Sequence, residues 1–163
     1  MTEHSPPPQE PSLTPLQRRS IEIDVAQAFH SALTSELGQE AASALFRQAV
    51  TLLANSSAET FRARYPEPTL ESLWEVWQVL GGEGRLDLEL DELSAHRLRF
   101  HVTRCSYAEM YQSRGLEAVG TAFSCERDAP FARALVPGVS VTQSKTIPQG
   151  SPRCEFEYTL EDR

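Results

Sequence analysis

The sequence predicts an α+β domain in which N-terminal helices and a later inserted set of helices pack on one face of a mainly antiparallel four-stranded sheet. Three observations carry this. Apolar residues recur near every 3.6 positions up to residue 80. The period drops to two between Arg85 and Val102. Helical spacing then returns, and two alternating segments close the chain.

Five of the eleven prolines fall by residue 15, and residues 1–13 read as a disordered tail followed by one domain over 14–163. Thr14-Pro15 predicts a helix start, with a hydroxyl N-cap and proline at the first helical position. Val25, Phe29, Ala32, Leu33 and Leu37 form its expected buried stripe, and Gly38 its expected C-cap. A second helix is expected over residues 39–54, buried through Leu45, Phe46, Ala49, Val50 and Leu53. Asn55-Ser56-Ser57 should break it before a short helix over 58–64. Tyr65-Pro66-Glu67-Pro68 forces an extended link. Thr69 caps a third helix bearing Leu70, Leu73, Trp74, Trp77 and Leu80, which Gly81-Gly82 ends. The two tryptophans share a face and predict core or groove lining; the helix that bears them could pack on itself across a homodimer.

Leu86, Leu88 and Leu90 alternate with Asp87, Glu89 and Asp91. After a turn, Leu98, Phe100 and Val102 alternate with Arg97, Arg99 and His101. An acidic strand beside a basic one reads as a half-buried hairpin whose opposite charges fix register. Helical segments are expected from Ser106 to Leu135, broken at Gly115, near Cys125 and at Pro130. A strand from Val139 to Thr146, a turn over Ile147–Arg153 and a strand through Cys154, Phe156, Tyr158 and Leu160 complete the sheet.

Composition narrows function by exclusion. The 163 residues carry fifteen Lys and Arg against twenty-three Asp and Glu, a net charge of −8. That balance argues against nucleic acid and anionic membranes as partners, and no segment is long and apolar enough to span a bilayer. The start of the chain is acidic and proline-rich rather than basic then apolar, so no secretory signal is expected. Three cysteines are too few and too odd for a disulfide framework, which predicts a reducing cytoplasm.

The cysteines sit at element junctions. Cys105 opens a helix beside Arg104, a position expected to favour thiolate. Cys125 precedes Asp128 by three residues, so a helical turn puts both on one side. Cys154 shares a strand face with Phe156 and Tyr158. The three lack the close pairing of zinc ribbons. Read one at a time, each is a small buried hydrophobe; together with Asp128 they could instead centre a reactive site or ligate zinc. His101, on the strand face opposite Phe100, reads as a solvated cross-strand partner of an acid in preference to a catalytic base.

Four segments resemble a known family. Phe100-His101-Val102-Thr103-Arg104-Cys105-Ser106-Tyr107-Ala108-Glu109, Gly115-Leu116, Cys125-Glu126-Arg127-Asp128 and Thr146-Ile147-Pro148-Gln149-Gly150-Ser151-Pro152-Arg153-Cys154-Glu155-Phe156 occur in that order. Together they are similar to the L-2-amino-thiazoline-4-carboxylic acid hydrolase family, with its Cys-Pro-Tyr-like, Cys-x-x-Asp and Gly-x-x-x-Cys-x-Phe motifs. Ser106 replaces the usual proline. The last motif also resembles the end of 4-vinyl reductase domains, some of which bind small aromatic ligands and hold zinc; Thr146 stands where such zinc sites carry cysteine. The resemblance implies hydrolytic opening of a small cyclic amidine at its S–C(=N) carbon, giving a carbamoyl-cysteine. Cys125 and Asp128 are then the expected nucleophile and acid/base, with Cys154 and Cys105 completing the catalytic set. Tyr107, Phe156, Trp77 and His101 are the expected substrate-binding residues, and zinc held by Cys105, Cys125 and Cys154 the expected cofactor of the alternative, a small-molecule-binding domain.

Overall fold

The computed structural model describes residues 13–161. Apart from Leu13, the expected tail lies outside the described residues. Six helices, α1 (Pro15–Leu37), α2 (Gln39–Arg62), α3 (Leu70–Gly81), α4 (Ser106–Ser113), α5 (Glu117–Ser124) and α6 (Asp128–Leu135), accompany four strands, β1 (Leu86–Leu93), β2 (Arg97–Cys105), β3 (Ser140–Lys145) and β4 (Cys154–Thr159). This is the predicted α+β class.

α1 starts as its sequence dictates. Thr14 Oγ1 accepts the Gln17 N–H at 3.2 Å, and Gln17 Oε1 accepts the Thr14 N–H at 2.9 Å, the reciprocal arrangement of a capping box. Gly38, at φ 81°, alone separates α1 from α2, a left-handed backbone that glycine adopts without strain. The burial of α1 departs from expectation. Ile23 is its one fully buried residue, whereas Val25, Phe29 and Leu37 are 55%, 66% and 51% exposed. The helix lies at the edge of the domain, touching α2, α4 and α5 on one side only. The apolar stripe legible in the sequence is therefore its outer side.

α2 continues through Asn55-Ser56-Ser57 and absorbs the short helix expected after it. Ser57 Oγ donates to the Leu53 carbonyl at 2.8 Å and Thr60 Oγ1 to that of Ser56 at 3.3 Å. These hydroxyls spend their hydrogen-bonding capacity on their own helix. Ala54 and Ala58 are fully buried and hold that stretch against the sheet-side core. Leu45 and Leu53, expected inside, are 45% and 48% exposed. Thr69 and Ser72 form a second capping box at the start of α3. Pro130 does not break the chain, because it falls in the first turn of α6, where its missing N–H is one a helix leaves unpaired.

The strands are ordered β1-β2-β4-β3, and every neighbouring pair is antiparallel. Glu89 stands across from His101, Asp87 from Arg104 and Glu92 from Arg99, so the acidic strand does pair with the basic one. One sheet face carries buried Leu98, Phe100, Val102, Cys154, Phe156 and Tyr158. Phe100 stacks on Phe156 with ring centres 4.9 Å apart, and Trp77 lies over both rings at 5.1 and 4.9 Å. Trp74 packs on Phe100 at 5.3 Å. The tryptophan face of α3 is thus used within the protomer as core lining. Leu86 and Leu88 join this core, but Leu90, on the edge strand, is 45% exposed.

Two apolar clusters result. The larger unites the sheet face with α3, α6 and the C-terminal half of α2. The smaller gathers Ile23, Phe46, Val50, Tyr111, Val119 and Phe123 from α1, α2, α4 and α5.

Candidate functional site

A cavity of about 240 Å³ opens where the two clusters meet. Phe61, Trp77, Val102, Phe131 and Phe156 come to its wall from the sheet side, and Tyr107 and Tyr111 from the helical side. Cys105, Cys125, Cys154 and Asp128 all line it. Side chains separated by tens of residues are therefore brought to one space. Of the expected site residues, only His101 is elsewhere. It lies on the opposite sheet face, 3.1 Å from both Glu89 and Asp91, because strand alternation sends it away from its neighbours Phe100 and Val102. It is the cross-strand partner of acids and takes no part in the cavity.

Each thiol has its own setting. Cys105 is the N-cap of α4, and its Sγ accepts the Ala108 N–H at 3.4 Å. Cys154 Sγ accepts the Ile147 N–H at 3.2 Å. Cys125 caps the C-terminal end of α5 and enters a single 3-10 turn that leads to Asp128. The expectation of a thiolate at Cys105 is not met: burial pushes its ionisation up, outweighing the lowering by the Ala108 and Tyr107 amides. Arg104 turns away, to Glu109 at 2.6 Å and the Gly84 carbonyl. Burial raises Cys154 to about 11, and burial together with nearby Asp128 raises Cys125 well above an ordinary thiol. All three are neutral thiols at neutral pH. Desolvation also lifts the Asp128 carboxyl to about 8, against the lowering influence of Arg127 and Arg19.

Two cations and one unpaired donor complete the wall. The Arg19 guanidinium donates to Ser124 Oγ at 3.1 Å and lies 5.0 Å from the Phe123 ring centre. Arg127 donates to Ser57 Oγ at 3.0 Å. Neither meets the Asp128 carboxylate in an ion pair among the described residues. The Trp77 indole N–H is directed to the buried Tyr158 hydroxyl. Gln143 Nε2 belongs to a cavity-lining residue, is buried, and lacks a hydrogen-bond partner among the described residues. An unmatched buried donor costs about 1–3 kcal/mol, so this group suits an acceptor on a bound molecule. Arg19, Arg127 and Gln143 did not stand out in the sequence. Arg127 sits inside the Cys125–Asp128 motif and could have been noticed there; Arg19 and Gln143 reach the cavity only through tertiary packing.

No group of three or more His, Cys, Asp or Glu among the described residues is arranged to hold a metal ion. Cys105, Cys125 and Cys154, the residues expected to hold zinc, line the cavity with Asp128 but form no such group.

The motifs that build this cavity lie between Phe100 and Phe156, and the family model they belong to matches nearly the whole chain, over residues 18–158. The chain belongs to the L-2-amino-thiazoline-4-carboxylic acid hydrolase family. The match extends back through α1 and α2, which carry no recognisable motif of their own, and so includes Arg19. No curated protein matches the chain. Among solved structures, the fold of this family member is similar to that of the phenol-responsive sensory domain of the transcription activator PoxR, solved with phenol. The two share 15% identity and a TM-score of 0.51, over 84% of this chain and 73% of that one. No helix among the described residues is long and apolar enough to cross a membrane.

Proposed function

We propose that the protein hydrolyses a small cyclic amidine of the thiazoline type, with Cys125 as nucleophile and Asp128 as its proton shuttle. The observation that supports this reading most is that Cys125, Asp128, Cys105 and Cys154 line one cavity together with Trp77, Tyr107 and Phe156. The cavity is small, largely apolar and furnished with a few polar groups, as suits a ring-sized ligand. Arg127 and Arg19 offer guanidiniums to a carboxylate on that ring. Gln143 Nε2 offers a donor to its acceptors.

In the proposed reaction the ionised Asp128 accepts the Cys125 thiol proton as sulfur bonds to the amidinium carbon, whose C=N electron pair moves onto nitrogen. The nitrogen pair then re-forms the double bond, the ring C–S bond breaks, and the departing ring sulfur takes the proton back from Asp128. Water adds to the Cys125-bound carbon and gives one proton to Asp128. The bond to Cys125 breaks, its sulfur recovers that proton, and the excess amidinium proton leaves to solvent. The product is a carbamoyl group on nitrogen and a free thiol. Because attack needs the carboxylate, turnover should rise with pH as Asp128 ionises near 8.

The test is turnover of L-2-amino-thiazoline-4-carboxylate, followed by thiol release. Cys125→Ser and Cys154→Ser should each abolish it while circular dichroism stays native. Full activity in either variant refutes the assignment. A second reading, binding without turnover, draws on the unpaired donor of Gln143 in an aromatic wall. A wild-type protein whose melting temperature rises with aromatic acids, and which leaves cyclic amidines intact, would establish that reading in place of the first.

A further inference from the structure

Among the described residues the outer side of α1 is apolar, unpartnered and bounded by opposite charges, and we infer that it pairs antiparallel with α1 of a second copy of this chain. At about 100° per residue, Arg18, Ile21, Val25, Phe29, Ala32 and Glu36 fall within a stripe about 80° wide and about 27 Å long. Ile21, Val25 and Phe29 are 54%, 55% and 66% exposed, values that isolated surface residues reach but that an aligned row of three large side chains seldom shows without a partner. At the ends of the stripe stand Arg18 and Glu36. Neither side chain has an ion pair or hydrogen bond among the described residues, although Arg19, Glu22, Asp24 and Ser20 on the other sides of the same helix all have one.

The charges specify the occupant. A two-fold axis level with residue 27 sets Arg18 against the second copy's Glu36 and Val25 against its Phe29, and repeats both contacts by symmetry. A self-complementary pattern of this kind suits a second copy better than an unrelated helix, which would have to match both the spacing and the order of charge. Arg19, on the inward side of the same helix, reaches the cavity, so pairing would also brace one of its walls. This inference does not depend on the proposed reaction.

Sedimentation of the full chain across a range from roughly 1 to 100 µM tests it. The expected result is a concentration-dependent species of twice the 18.2 kDa chain mass. Phe29→Glu should weaken association at least tenfold without changing the melting temperature at concentrations where the wild type is monomeric. Arg18→Glu should weaken it several-fold, and combining it with Glu36→Arg should restore it. A monomer at every concentration overturns the inference, whether the face is then covered by residues 1–12 or by a different protein. So does a dimer indifferent to both Phe29→Glu and Arg18→Glu.

Discussion

The two apolar clusters are built on different principles. The sheet-side cluster is dominated by aromatic rings fixed by strand register, with Phe100, Phe156 and Tyr158 stacked in a row and Trp77 laid across them. The helical cluster is smaller and takes only Ile23 from the whole of α1 as a fully buried residue. Between them lies the cavity, with thiols from the sheet side and the connecting turn, and cations from α1 and that turn. The difference teaches that the aromatic half presents Cys105 and Cys154 and the helical half presents Arg19, while the turn between them carries Cys125, Arg127 and Asp128.

Substitutions can probe this contrast in order of expected effect. Phe100→Ala, in the middle of the ring stack, should cost about 3–5 kcal/mol of unfolding free energy in a denaturant titration; a cost below about 1 kcal/mol would show the stack to be loosely packed.

Asp128→Asn probes the seam. The folded state raises this carboxyl from 3.8 to about 8, so between those pH values the folded chain holds a proton that the unfolded chain has released. Stability therefore falls as pH rises from about 4 to 8 and levels off beyond it. The asparagine variant lacks that penalty and should gain roughly 2–4 kcal/mol on the wild type at pH 8.5 compared with pH 4. That range is set below the full shift because part of the residue reaches solvent through the cavity. An equal difference at both pH values would mean that the carboxyl is well solvated.

Gly120→Ala probes the helical cluster. A Cβ there would overlap the Tyr111 ring, and overpacking of this kind costs about 1–3 kcal/mol. A neutral effect would show that α4 and α5 separate readily. Phe29→Ala, on the outer side of α1, should stay within about 0.5 kcal/mol in the monomer; a core-sized loss at low protein concentration would place that ring inside after all.

The sheet was legible in the sequence because alternation over Leu98–Val102 and Cys154–Tyr158 has only one buried face to serve. Both capping boxes were half-visible as Thr14-Pro15 and Thr69. The helices were less legible for a definite reason. Periodicity shows that a helix has an apolar side, but not whether that side meets its own domain; in α1 the side marked by Val25 and Phe29 faces out. Asn55-Ser56-Ser57 looked like a stop because polar residues compete for backbone bonds, yet Ser57 bonds back within the helix and Ala54 and Ala58 anchor it. At the site, Cys105, Cys125, Asp128 and Cys154 could be gathered from motif order, and Trp77, Tyr107 and Phe156 from aromatic character. Arg19 and Gln143 could not, since only packing across the two clusters brings them to the cavity. Charge near Cys105 was visible, but the direction of its ionisation was not, because burial outweighs a helix terminus.

The rates at which the three cysteines are alkylated, followed residue by residue by mass spectrometry with and without saturating L-2-amino-thiazoline-4-carboxylate, test the central claim most directly. A ligand occupying the single cavity at the seam should slow modification of Cys105, Cys125 and Cys154 together. Turnover of the thiazoline with all three alkylated at unchanged rates would contradict it.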